Sequence, residues 1–144
     1  MHDRRQTLSA SLSLILEDAA FVFAELVEDE PEPFEGEVVE ASLDYSGDRS
    51  GTMALRMTVH FALQVAEELM VSGDEDTLPE EIAGELLNII AGHWVVEQFG
   101  ERTRFHLTPP TAARRPGDAL SPLPEDAAVL RTDDGDRVDL MVAA

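Results

Sequence analysis

The segment Pro79–Phe99 restricts the fold of this chain more than any other stretch of it. Thr77 and Glu80 have the spacing of a capping box, Pro79 fits a first helical turn, and Gly100 supplies a stop. A helix of that length places Ile82, Leu86, Ile89, Ile90 and Trp94 on one broad apolar side, which must face a core. Glu81, Glu85, Asn88 and Gly92 fall within roughly 60° of one another on the opposite side. The polar stripe is narrow, so most of this helix has to be covered by other elements.

Those elements are legible by their periods. Leu8, Leu12, Ile15, Ala19, Val22 and Leu26 recur every three or four residues, which predicts a first helix from about Thr7 to Glu28. The acidic, proline-containing run 28–33 ends it. Val39, Ala41, Leu43 and Tyr45 alternate with polar neighbours, as do Met53, Leu55, Met57 and Val59, with the turn formers of 46–51 between them. This is a β-hairpin with a longer loop. A short helix from about Phe61 to Val71 follows, with Gly73 to stop it. Beyond the long helix, Arg104–Thr108 reads as a strand, and the Pro-, Ala- and Gly-rich stretch 111–124 as a long loop. Ala127–Arg131 and Arg137–Val142 flank the turn residues 133–136 and form a second hairpin. The expected fold is α+β, an antiparallel sheet packed with two long helices and one shorter one, spanning 1–144 as one domain.

Composition removes several kinds of chemistry. The chain has no cysteine, which excludes disulfides, zinc–thiolate sites and thiol catalysis. It has no lysine either, and all ten basic residues are arginine, so a P-loop lysine and Schiff-base catalysis are excluded as well. Thirty acidic residues bring the formal charge to -20, which repels phosphate backbones and anionic lipids. Neither a nucleic acid nor a membrane is an expected partner. No apolar run approaches the ~20 residues that span a bilayer, and no cleavable apolar core follows the N-terminal Arg4-Arg5 pair. The expected location is the cytoplasm.

The narrow stripe is therefore where chemistry is sought. Asn88 is the only asparagine in the chain, and its carboxamide offers one acceptor and two donors without titrating. Gly84 and Gly92 border it, although glycine costs about 0.8–1.0 kcal/mol relative to alanine inside a helix. Their presence suggests a close approach to the helix backbone. By itself an exposed Glu-x-x-Asn pair is ordinary solvated surface. His2, His60, His93 and His106 have no metal-ligand spacing, and His93 reads as a packed or partly exposed histidine on the flank of the helix. The pair Glu81 and Glu85 reads as solvated carboxylates rather than a cation site. Asp133-Asp-Gly-Asp136 lacks the length and terminal glutamate of a calcium loop. Phe21, Phe23 and Trp94 fit core packing better than a ligand cage. No metal or cofactor is expected in this chain.

The stretch Glu81-Ile-Ala-Gly-Glu85-Leu-Leu-Asn88-Ile-Ile-Ala-Gly92 resembles the helix of the CheC/CheX/FliY family of chemotaxis phosphatases. The family pattern is Asp or Ser, three residues, Glu, two residues, Asn, and a proline twenty-two residues later. Glu85 and Asn88 match it, and Pro110 stands at the required spacing. The glycine-containing hairpin 46–52 and the segment Leu107-Thr-Pro-Pro-Thr111 are similar to the CheX branch, and the single Glu-x-x-Asn copy agrees with that type. Glu81 departs from the pattern, keeping a carboxylate but reaching one methylene further than Asp.

The resemblance implies a phosphatase that removes the phosphoryl group from the aspartyl phosphate of a CheY-type receiver domain. Asn88 would orient the attacking water, and Glu85 would pair with a lysine of the receiver. Glu81, Gly84, Gly92 and Pro110 would belong to the docking surface. The receiver would bring its own Mg²⁺. A homodimer is implied, because the CheX branch is dimeric. The competing expectation is a non-catalytic module that binds a receiver or another chemotaxis protein through the same fold.

Overall fold

The computed structural model describes residues 3–29, 31–69, 78–100, 102 and 104–143. The elements run α1 (Arg4–Ala20), β1 (Ala24–Leu26), β2 (Glu37–Ser46), β3 (Gly51–Thr58), α2 (Val59–Leu69), α3 (Pro79–Phe99), β4 (His106–Leu107), β5 (Thr111–Pro116), β6 (Ala128–Thr132) and β7 (Arg137–Ala143). The strands form one antiparallel sheet in the order β1-β6-β7-β3-β2-β4, and β5 also pairs with β2. Both expected hairpins are present, β2 with β3 and β6 with β7. The α+β architecture is as the periodicities predict.

Alternation along the strands assigns the two faces of the sheet. Val39, Ala41, Leu43 and Tyr45 on β2 and Met53, Leu55 and Met57 on β3 are buried in a core shared with Leu8, Leu12 and Leu16 of α1, Phe61 and Val65 of α2, and Leu86 and Ile90 of α3. The other face carries a charged row. Glu40 stands opposite Arg56, and Arg56 opposite Asp139. Arg56 Nε donates to Glu40 at 2.5 Å and its Nη2 to Ser121 Oγ at 2.8 Å. Arg137 forks onto both oxygens of Asp139 at 2.9 Å. A fully buried carboxylate is tolerable only with such partners.

The first helix is shorter than its periodicity predicts. Asp3 caps it, accepting from the Gln6 N–H, but it ends at Ala20 rather than near Glu28. Phe21 takes a left-handed conformation with φ 55°, its N–H returning to the Glu17 carbonyl and that of Val22 to the Leu16 carbonyl. Val22 and Leu26 fit a period of two as well as of four. Pairing of Ala24–Leu26 with Leu130–Thr132 of β6 decides in favour of a strand. Phe21 and Phe23, expected in the core, are 72% and 57% exposed, whereas Trp94 is buried as expected.

Three further expectations are corrected. Residues 111–116, read as part of a loop, form β5, in register from Glu37 opposite Pro116 to Ser42 opposite Thr111. This is an edge strand with one half-buried apolar side chain, Ala112, so no apolar alternation announces it. Ile89 lies outside the core at 38% exposure, because its direction falls between the covered side of α3 and the stripe. Finally, the N-cap of α3 is Leu78, which makes no side-chain cap bond. Thr77 of the expected capping box lies outside the described residues, as do Gly73 and the end of the expected short helix. The bounds of α3 itself are as predicted.

Candidate functional site

The stripe of α3 opens onto a groove of roughly 700 Å³ between this helix and the β4–β5 connection. Glu81, Glu85 and Asn88 are exposed along its helical wall. The opposite wall is Leu107-Thr-Pro-Pro110 with Ala112. The structure thus brings Glu81, Gly84, Glu85, Asn88 and Pro110 together across a gap of about twenty residues in sequence. Gly92 lies one turn further on, half-buried and not among the groove-lining residues.

Each wall is held from outside the groove. Ile82, Leu86 and Ile90 anchor α3 in the core, and Trp94 Nε1 donates to Thr7 Oγ1 on α1 at 3.1 Å. His93 packs on the flank, with Nδ1 3.0 Å from Ser11 Oγ. Phe99 stacks on Phe105 with centroids 5.0 Å apart, tying the end of the helix to the start of the other wall. That wall is then fastened to β2. The Thr108 N–H donates to the Asp44 carbonyl, and the Asp44 N–H to Thr108 Oγ1, both at 2.9 Å. Thr52 Oγ1 donates to the Asp44 carboxylate at 2.6 Å. Tyr45 pairs with Leu107 before the two prolines, and Ser42 with Thr111 after them.

The two glycines of the stripe have different surroundings. A Cβ on Gly84 would stand 3.3 Å from Pro110 Cγ, so the close approach to the helix backbone here is made by the chain's own proline. A Cβ on Gly92 would meet nothing within 4 Å. Gly84 therefore sets the spacing between the groove walls, and Gly92 leaves a bare patch of helix.

A second tie joins the walls through residues not singled out by the sequence. Arg114 on β5 donates from Nε to Glu80 at 2.7 Å, and its guanidinium lies 3.9 Å from Glu37. The hydrogen bond from Arg114 holds the Glu80 carboxyl below its ordinary range, with slight desolvation opposing it. The clue was hidden because Arg114 lies in a stretch without strand periodicity, and Glu80 reads simply as a helix-start carboxylate.

Chemically the groove offers two kinds of group. Among the described residues, Glu81 and Glu85 have no ion-pair partner and Asn88 has no hydrogen-bond partner. The carboxylates suit a cation on a docking partner. The carboxamide suits a water or an anion's oxygen, accepting with one atom and donating with the other. Among the described residues no group of three or more His, Asp or Glu side chains is placed to hold a metal ion. No described helix is long and apolar enough to cross a membrane.

Comparison with known proteins gives a consistent picture. The family model for chemotaxis phosphatase CheX matches residues 39–129. A chemotaxis protein CheX from Desulfovibrio desulfuricans superposes with a TM-score of 0.70 at 17% identity, covering 97% of this chain and 99% of that one. The CheX chain of a CheX-CheY-BeF3-Mg²⁺ complex from Borrelia burgdorferi superposes at 0.67 with 24% identity, covering 98% and 97%. FliY from Thermotoga maritima gives 0.56 at 19% identity, covering 99% and 84%. A sequence comparison with curated proteins finds no match.

Proposed function

Because the chain belongs to the chemotaxis phosphatase CheX family, we propose that it hydrolyses the aspartyl phosphate of a phosphorylated CheY-type receiver domain, acting as a cytoplasmic homodimer. The observation that carries this reading is the placement of Glu85 and Asn88 on a rigid helix, exposed beside a groove whose far wall is Pro110. The relative from Borrelia burgdorferi, seen in complex with CheY, supports the choice of partner.

In the proposed reaction a water oxygen attacks phosphorus as the bond to the receiver's aspartyl oxygen breaks. The aspartate leaves as a carboxylate, inorganic phosphate is released, and the water proton passes to phosphate or solvent. Asn88 cannot act as a base, since a carboxamide does not titrate at these pH values. It accepts a hydrogen bond from the water and donates one to a phosphoryl oxygen, which holds the water in line. In a loose phosphoryl-transfer transition state, positioning is most of what a protein can supply. Glu85, without an internal partner among the described residues, pairs with a lysine on the receiver and fixes the register. Glu81 and Gly92 complete the docking face with Pro110, whose ring is seated on Gly84. Mg²⁺ bound on the receiver would neutralise the phosphoryl oxygens during transfer.

The test is phosphate release from a phosphorylated CheY-type receiver, with receiver binding measured in parallel. Asn88→Ala should cut the acceleration by about 100-fold while binding persists, and Glu85→Ala should weaken binding. Unchanged phosphate lifetime in the presence of wild-type protein that binds the receiver would replace the phosphatase by the interaction module.

A further inference from the structure

Far from the α3 groove, the end of α1 presents an aromatic pair that the fold does not use. Phe21 stands where a helix-terminating glycine is usual, in the left-handed region at φ 55°. There its Cβ is crowded against its own backbone. Its ring gives little packing in return, being 72% exposed, and Phe23 beside it is 57% exposed. Neither belongs to a loose end. The Phe21 N–H donates to the Glu17 carbonyl at 3.1 Å, and the Val22 N–H to the Leu16 carbonyl at 3.0 Å. The Phe23 carbonyl accepts from the Asp133 N–H at 3.1 Å. Two large rings are thus held in solvent on fixed backbone, in a conformation that favours a residue with no ring at all.

The rings flank a groove of roughly 440 Å³ floored by Val65 and Phe61. Its rim is acidic: Glu67 and Glu68 from α2, and Asp133 and Asp134 from the β6–β7 turn. Among the described residues no arginine or histidine lines it. The site lies by β1 and β6, at the opposite edge of the sheet from β4 and β5, which border the α3 groove. The two grooves share no lining residue.

We infer that this is a second docking surface, for a segment of another protein that presents a large apolar side chain flanked by lysine or arginine. The rings and the apolar floor provide a desolvated anchor, and the carboxylate rim selects cations around it. An anionic lipid surface or a nucleic acid would meet the same carboxylates with like charge. A second copy of the chain, at a formal charge of -20 and without lysine, would meet them the same way. An amphipathic helix with a basic polar face satisfies both requirements.

The experiment uses the full chain and a fluorescein-labelled 18-residue leucine/lysine amphipathic peptide, read by anisotropy at 150 mM NaCl. A leucine/glutamate peptide of the same pattern and phosphatidylglycerol vesicles are run beside it. Wild type should bind the basic peptide at least tenfold more tightly than the Phe21→Gly/Phe23→Ser variant, and Asn88→Ala should bind like wild type. The thermal midpoint of Phe21→Gly alone, which relieves the left-handed phenylalanine, checks that the fold survives. Equal binding by wild type and the double variant would show general attraction to an acidic protein and overturn the inference. So would equal binding of the acidic peptide, capture by vesicles, or no binding of the basic peptide to wild type.

Discussion

Alanine at Gly84 and at Gly92 is the same chemical change in the same helix, with opposite consequences. Replacing an interior helical glycine by alanine gains about 0.8–1.0 kcal/mol. Gly92→Ala should show that gain in full, since its methyl meets open space. For a chain of this length the thermal midpoint rises by about 2–4 °C. Gly84→Ala gains the same propensity but places its methyl 3.3 Å from Pro110 Cγ and 3.5 Å from its Cβ. The proline ring can give way only by a change of pucker, and its segment is bonded to β2 on both sides. Overpacking of this kind costs about 1–3 kcal/mol, so Gly84→Ala should be neutral to about 2 kcal/mol destabilised. It should fall at least about 1 kcal/mol below Gly92→Ala. Urea unfolding followed by fluorescence of the buried Trp94 reads both values. The activities should split in the same direction. If the wall gives by a few tenths of an ångström, and 1 Å of misplacement costs about 100-fold, the loss on phosphate release is roughly three- to tenfold. Gly92→Ala should leave the chemistry intact and weaken receiver binding. Equal stabilisation by the two alanines would refute the claim that Pro110 is seated on Gly84.

The other expected outcomes concern charges and the left-handed cap. Arg114→Ala should return the Glu80 carboxyl to its ordinary range in an NMR titration. Because Glu80 is lowered in the folded state, its contribution to stability is present above about 4.5 and is lost as pH falls through the folded value; the variant should lack that acid-side loss. Asp139 has the opposite sign, since burial raises it despite the hydrogen bonds from Arg137. Its contribution is fully present below about 3.8 and is lost as pH rises through the folded value. Urea midpoints between pH 3.5 and 7 should therefore show a component of decline that Asp139→Asn abolishes. Phe21→Gly should be more stable than Phe21→Ala by about 1 kcal/mol, because both lose the ring but only alanine keeps the left-handed strain; equal stabilities would contradict the backbone assignment.

The sequence discloses those parts of the molecule whose burial leaves a period. The bounds of α3, the two hairpins and the core faces of β2 and β3 are of that kind, since a half-covered element must alternate or recur. Glu85, Asn88 and Pro110 were legible for a different reason, a spaced pattern shared with a family, and the structure brings them to one groove. What stayed hidden lacks a period or has two. Val22 and Leu26 fit a helix and a strand equally well, and only the partner β6 decides between them. Thr111–Pro116 is an edge strand whose ladder with β2 is made by the backbone and whose side chains are nearly all exposed, so they carry no apolar period. Gly84 could be read as leaving space for a visitor, but the neighbour that uses the space is Pro110. The Glu80–Arg114 pair joins residues 34 apart in sequence, and nothing local in either segment indicates the other.

The fastening of the prolines to β2 has a further consequence for how activity would be lost. One groove wall is a helix rooted in the core. The other hangs from an edge, on a two-residue strand, a pair of threonine–aspartate bonds and a polar six-residue strand. Edge segments with few buried apolar contacts open locally at a fraction of the free energy needed to unfold the whole domain. Amide exchange through residues 107–112 should then be much faster than in the middle of α3, with the proposed catalytic face dismantled in molecules whose helices and core are intact. Heat or mild denaturant would silence such a protein well before any spectroscopic melting, and its functional lifetime would be that of its weakest hem.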